Sequence, residues 1–166
     1  MEMSNEQRIL VPIKDIEQGR LALNVLKNNS NTPISSIRLF HCIEDRLARN
    51  HYMLALSVIS IVDQQSDELN KAHQYLTAFA RELEEEFPEA RVSVQASLCD
   101  SVSDAVVKES ENMDATMILL VTDPAQKKHW FWPGLTSRVL RISKCPVQIV
   151  KPALSDDDGA TPLMVA

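Results

Sequence analysis

Histidine and cysteine are the side chains of this sequence best suited to bind a metal or to attack a substrate. They are His41, His51, His73 and His129, with Cys42, Cys99 and Cys145. No HExxH motif, no pair of histidines four residues apart and no CxxC pair occurs, so the spacing does not predict a zinc or thioredoxin-like site. The GxSxG turn that holds many serine nucleophiles is also missing. We therefore expect no metal, no catalytic site and no enzymatic activity.

The sequence contains three cysteines, an odd number, and they are widely spaced along the chain. Free cysteine is a small apolar side chain that is commonly buried, and proteins of reducing compartments keep it as a thiol. The sequence therefore predicts three buried, unpaired cysteines.

A second group with chemical potential is the aromatic run Trp130, Phe131 and Trp132, inside a loop predicted over residues 122–133. The rings can fold back onto the carboxyl end of a sheet and fill a cleft there. Alternatively they can stay exposed and anchor a protein partner or a second subunit, since tryptophan is enriched at binding hot spots. Stacking on nucleic acid is a third use. All three alternatives stay open at this point.

Charge restricts the possible partners. The net charge is −6 and the isoelectric point about 5.2, whereas a nucleic-acid-binding domain normally has a basic patch and a high isoelectric point. We expect no nucleic-acid partner and no attraction to an anionic membrane. No apolar run is long enough for a transmembrane helix, and the polar start MEMSNEQR does not resemble a signal peptide. The predicted location is the cytoplasm.

Short apolar runs alternate with amphipathic stretches along the chain. Strands are predicted at residues 9–13, 37–43, 92–96, 115–121 and 146–150, and helices at 21–29, 66–87, 101–111 and 135–143. Residues 51–62 are apolar enough for a strand or a buried helix, and we favour a short helix. The helix over 66–87 repeats apolar residues at three- and four-residue steps, and His73 falls on the apolar side. Asp100 or Ser101 is expected to cap the helix that follows.

This alternation of strands and helices predicts an α/β fold: a five-stranded parallel sheet of order 3-2-1-4-5 with helices on both faces. The domain is predicted to span residues 1–153. The polar tail over residues 154–166 is predicted to be disordered.

Three segments together resemble the universal stress protein family, over about residues 7–152. They are the opening strand ILVPI at 9–13, the run MDATMILLV at 113–121, and the closing helix and strand SRVLRISKCPVQIV at 137–150. The resemblance implies the same five-stranded fold and a homodimer joined through the last strand, here Val147 and Ile149. That strand would lie at an open sheet edge without charge or bulge, which favours pairing with another chain.

Family members that bind ATP carry a Gly-x2-Gly-x9-Gly-[Ser/Thr] motif after the fourth strand. Here the corresponding positions hold Leu120, Asp123, Pro133 and Gly134. Asp123 would place negative charge beside the phosphates, and Pro133 has no N–H to donate to them. Lys14 stands where the first strand usually ends in an aspartate, with Asp15 next to it.

Two functions follow from this departure. The first is a regulatory or interaction module that does not bind ATP, and the degraded motif favours it. The second is an adenine-nucleotide-binding protein, for ATP or AMP, with a divergent pocket and at most slow ATPase activity. The residues expected to contact a nucleotide in that case are Lys14, Asp15, Thr122, Asp123, Gly134 and Thr136. Trp130 and Trp132 are the expected contacts of a protein partner.

Overall fold

The computed structural model describes residues 6–28, 31–49, 55–121 and 134–151. Five strands form one parallel sheet of order β3-β2-β1-β4-β5, which confirms the predicted topology. The elements are β1 Gln7–Pro12, α1 Ile16–Asn28, β2 Ile34–Glu44, α2 Arg46–Arg49, α3 Ala55–Glu86, β3 Arg91–Cys99, α4 Val102–Asn112, β4 Met117–Val121, α5 Leu135–Ile142 and β5 Val147–Val150.

Two apolar layers cover the sheet, one on each face. On one face α1 and α3 pack against alternate strand residues such as Val11 and Leu39. On the other face α4 and α5 pack against the intervening residues, among them Leu10 and Leu120. Central strands of a parallel sheet are buried on both faces and therefore read as continuous apolar runs, as β1 and β4 do. Pro12 is tolerated because it is the last residue of β1.

Gly19 allows α1 to approach α3 closely. A Cβ atom at this position would overlap the ring of Phe79, on the buried side of α3. Glycine in a helix is less stabilising than alanine. Its presence here is therefore explained by the lack of room for a larger side chain.

The long helix α3 differs from its prediction. It runs without a break over 32 residues, so that residues 55–62, expected to form a separate short helix, are its first turns. His73, on the predicted apolar side, was expected to be a core or boundary residue and is exposed; the buried side chains near it are Ala72 and Leu76. The prediction for His73 was wrong because the buried stripe of α3 is narrower than the apolar side read from the sequence.

The cysteines also require a correction. Cys42 in β2 and Cys99 at the end of β3 form a disulfide, and only Cys145 is free. The two residues are 57 positions apart in sequence, with Cα atoms separated by 6.3 Å. Neighbouring parallel strands bring them together, which spacing along the chain could not reveal.

No helix among the described residues has the length and apolar character needed to cross a bilayer. The predicted tail over residues 154–166 lies outside the described part of the chain.

Candidate functional site

The first candidate site is the crevice between β1 and β4 at the edge of the sheet that carries the carboxyl ends of the strands. Within the described residues, β1 pairs with β4 only at Ile9 with Met117 and Leu10 with Ile118. Beyond those pairs the strands separate, and their chains turn to helices on opposite faces. Such a topological switch point is where open α/β sheets bind their ligands. We call it the β1/β4 crevice and define it by Ile13, Lys14, Gln18 and Val121.

The side chain of Gln18 fills this crevice. Its amide nitrogen donates to the carbonyl oxygen of Val121 at 2.9 Å, and its Oε1 accepts from the backbone N–H of Lys14 at 2.6 Å. Gln18 is 5% exposed and Val121 1%. One neutral side chain thus engages main-chain groups from both strand ends.

Local sequence explains how Gln18 reaches this position. Asp15 caps α1, because its Oδ1 accepts from the backbone N–H of Gln18 at 2.9 Å. Gln18 in turn accepts from the backbone just before the cap. This is a variant of the capping box, in which the cap and the residue three positions later bind each other's main chain. The start of α1 therefore fixes the side chain that closes the crevice.

A histidine and a tyrosine lie next to the crevice. The carbonyl oxygen of Ile13 can only accept, so the Nδ1 of His41, 2.8 Å away, must carry the proton. The Tyr75 oxygen lies 2.9 Å from the same nitrogen. Burial lowers the pKa of His41, which favours the neutral ring, and burial raises the pKa of Tyr75 above its usual value. Through these contacts the ring of His41 links the end of β1 to α3.

The second candidate site is an open cavity of about 390 Å³ between the first turns of α4 and α5. We call it the α4/α5 cavity. Its lining residues are Glu44, Ser101, Val102, Ser103, Gly134, Leu135, Ser137, Arg138 and Arg141. Ser101 caps α4, as predicted, by accepting from the N–H of Asp104 at 3.5 Å.

One of the two arginines that line this cavity is paired with a carboxylate. Arg138 donates to both carboxylate oxygens of Asp104 at 3.0 Å. This hydrogen bonding holds the pKa of Asp104 below its usual range. Gly134 begins α5 in the left-handed region at φ 80°, a conformation that glycine adopts without strain. The cavity is polar and contains cations, but its best-placed arginine already has an anionic partner.

The predicted nucleotide contacts that the structure describes lie at the starts of two helices, α1 and α5. Gly134 lines the α4/α5 cavity, whereas Lys14 and Asp15 lie at the start of α1. Thr136 is in the first turn of α5 and is not among the cavity's lining residues. Thr122, Asp123, Trp130 and Trp132 lie outside the described residues, and the predictions about them stay predictions.

Sequence reasoning missed Gln18, His41 and Tyr75. The spacing of Asp15 and Gln18 is the signal that could have identified the capping box. Nothing in the sequence pairs His41 with Tyr75, because the contact joins β2 to α3 across 34 positions. In the described ranges, no three His, Cys, Asp or Glu side chains are grouped as metal ligands would be.

Comparison with known proteins gives a family and a fold. The model of the Universal stress protein family matches residues 6–151. The hypothetical protein MJ0577 superposes with a TM-score of 0.70 at 19% identity, covering 92% of this chain and 99% of that one. The hypothetical protein PH0823 superposes with a TM-score of 0.64 at 22% identity, covering 90% of this chain and 97% of that one. No sequence among the curated proteins matches the chain.

A third structure contains a ligand. The universal stress protein from Archaeoglobus fulgidus in complex with dAMP has a TM-score of 0.53 at 12% identity, with 86% of this chain and 96% of that chain covered. At these identities the likeness between the structures establishes the fold only.

Proposed function

The chain belongs to the universal stress protein family, and we propose that it acts as a non-enzymatic regulatory or interaction module whose β1/β4 crevice does not bind ATP. The observation that carries the proposal is the Gln18 side chain, hydrogen-bonded across the crevice to Lys14 and Val121. A nucleotide entering there would have to displace both bonds from a buried site. Each such loss costs about 1–3 kcal/mol unless the ligand restores it.

The sequence supports the same proposal. By the sequence resemblance, the positions of the family's phosphate-binding glycines correspond to Leu120, Asp123 and Pro133. Leu120 is fully buried, as the penultimate residue of β4. A large side chain inside the strand cannot provide the close backbone approach that glycine gives to phosphate.

Calorimetric titration with ATP and with AMP tests the proposal. We expect a dissociation constant above about 100 μM, equivalent to a binding free energy weaker than about −5.5 kcal/mol. Protein as purified should release no adenine nucleotide on denaturation. The Archaeoglobus fulgidus protein, titrated with dAMP, provides the positive control. Stoichiometric bound nucleotide, or a dissociation constant below about 10 μM, would contradict the proposal.

The alternative function is adenine-nucleotide binding with at most slow ATPase activity. The α4/α5 cavity favours it, because Ser101, Ser137 and Arg141 converge on open space beside the start of α5, and because a family structure holds dAMP. If nucleotide does bind, Arg141→Ala should weaken it at least tenfold, while Arg91→Ala, an exposed arginine at the start of β3, should have no effect.

We also propose that two copies pair through β5. This strand is at the sheet edge and pairs only with β4 among the described strands. Val147 and Ile149 are half-buried and uncharged. Light scattering should show that Val147→Lys with Ile149→Lys abolishes the dimer, while Gln148→Lys, at an exposed position of the same strand, preserves it. A monomeric wild-type protein at high micromolar concentration would refute the pairing.

A further inference from the structure

The amino-terminal part of α3 is only partly covered by the rest of the described chain. Buried side chains in this helix begin at Gln65. The preceding residues 55–64 make almost three turns, about 15 Å at 1.5 Å per residue. We call residues 55–64 the α3 arm. Its first eight residues, ALSVISIV, contain no charge, and an apolar helix of this kind is normally covered.

The apolar residues of the arm lie on two faces. Val58 and Ile61 are half-buried and, at 100° per residue, lie on the same side as Gln65, which faces the domain. Leu56, Ile59 and Val62 form a second stripe at three-residue steps. They are 82%, 59% and 47% exposed. The exposed stripe is therefore not part of the core that the described residues form.

We propose that the exposed stripe of the α3 arm pairs with the same stripe of a second copy of this chain, as an antiparallel helix pair centred on Ile59. The stripe is self-complementary in this arrangement. Leu56 faces Val62 of the partner subunit, Val62 faces Leu56 of the partner subunit, and the two Ile59 side chains meet on the axis. Interfaces with two-fold symmetry require this reciprocity.

The charge pattern of the arm permits a second copy and argues against a membrane surface. The first charge of the arm, Asp63, faces Ala55 of the partner subunit in this register, so no two carboxylates are opposed. Two chains of net charge −6 meet through their uncharged segments, which keeps their mutual repulsion small. A membrane surface fits poorly, because helices that lie on membranes carry Lys and Arg on the polar face, whereas the polar residues of the arm are Ser57, Ser60, Asp63 and Gln64.

Helix α3 as a whole lies away from the β5 edge. Helix α3 packs against β2 and β3, at the opposite side of the sheet from β5. Pairing through the arms is therefore independent of pairing through β5. An interface formed by a few turns of helix is small, and interfaces of that size are weak and concentration-dependent.

Sedimentation velocity over a concentration series tests the pairing. Both test variants carry Val147→Lys and Ile149→Lys, so that β5 does not contribute. Ile59→Glu should raise the dissociation constant at least tenfold. Ser57→Glu makes the same change of charge on an exposed position on the other side of the helix and should leave the constant unchanged. Equal constants for the two variants would overturn the proposal.

Disulfide cross-linking provides a second measurement, in a chain that keeps its native β5. In a Cys145→Ser background, mild oxidation should cross-link Ile59→Cys chains efficiently and Ser57→Cys chains at least tenfold less. A mixture of Leu56→Cys and Val62→Cys chains should cross-link more than Leu56→Cys alone, because the helices are antiparallel. Equal yields at positions 57 and 59, or preferential cross-linking of Leu56→Cys to itself, would overturn the arrangement.

Discussion

The β1/β4 crevice and the α4/α5 cavity lie at the same edge of the sheet and differ in how their polar groups are satisfied. In the crevice, Gln18 binds a backbone N–H of one strand end and a carbonyl of the other. The cavity is open, and its polar side chains Ser101 and Ser103 bind each other at 3.1 Å. The crevice is part of the folded core, whereas the cavity is part of the surface.

In the crevice, the position at which open α/β sheets commonly bind a ligand holds a side chain whose amide oxygen and nitrogen are both hydrogen-bonded to the main chain. Parallel α/β sheets place strand ends and helix starts together, and this creates a place for a ligand. Whether a ligand binds there depends on the side chains, since fold alone does not fix function. Four changes test the contrast, two of them at the crevice and two at the cavity.

The largest effect is expected from Gln18→Leu. Leucine is similar in size but removes both hydrogen bonds from a buried site, at about 1–3 kcal/mol for each group. We expect the free energy of unfolding to fall by about 2–5 kcal/mol, measured by urea denaturation. Gln74→Leu, at an exposed position of α3, serves as the control and should change stability little. A loss below about 1 kcal/mol would mean that Gln18 does not hold the crevice closed.

Loss of the disulfide beside the α4/α5 cavity is expected to have the next largest effect. Cys42 and Cys99 each lie two residues before a cavity residue, Glu44 and Ser101. Closing a loop of this length stabilises a fold by about 2–4 kcal/mol. Dithiothreitol should lower the stability of the wild type by that amount and have no effect on the Cys42→Ala, Cys99→Ala double variant. Three alkylatable thiols in denatured, unreduced protein would show that the bond is absent.

A smaller, pH-dependent effect is expected at His41. Because burial lowers the pKa of this histidine, the unfolded chain binds the proton more tightly than the folded one. Stability should therefore be complete above the unfolded pKa of about 6.5 and decrease as the pH falls through the lower folded pKa. His41→Asn preserves a donor to Ile13 and removes the titration. Denaturation midpoints between pH 7.5 and 5 should fall more steeply for the wild type than for the variant.

The smallest effect is expected from Arg138→Ala at the rim of the cavity. Both side chains of its ion pair with Asp104 are exposed. Exposed ion pairs contribute little to folding stability because water screens them. We expect no measurable change in the denaturation midpoint at moderate salt concentration. A clear destabilisation would show that the rim of the cavity is as integral to the fold as the crevice is.

The spacing of apolar residues and the alternation of strands with helices predicted the fold, because both depend on residues that are close together in the sequence. The continuous apolar run of β4 indicated burial on both faces, and the regular alternation of strands and helices left a parallel sheet as the consistent arrangement. The predicted strand order and the Ser101 cap both agree with the structure. These features depend on neighbours a few residues apart, which a single sequence displays.

Tertiary structure alone decided which side chains meet. The bond from Gln18 to Val121 spans 103 positions and the disulfide spans 57. The apolar stripes of α3 look alike in sequence, yet Leu76 is fully buried while Leu56 is 82% exposed. The physical reason is that burial and pairing depend on what the folded chain brings alongside a residue. By itself, the sequence determined the five strands and their order; the contacts of Gln18 across the crevice and the exposure of the arm depend on which distant parts of the chain the fold brings together.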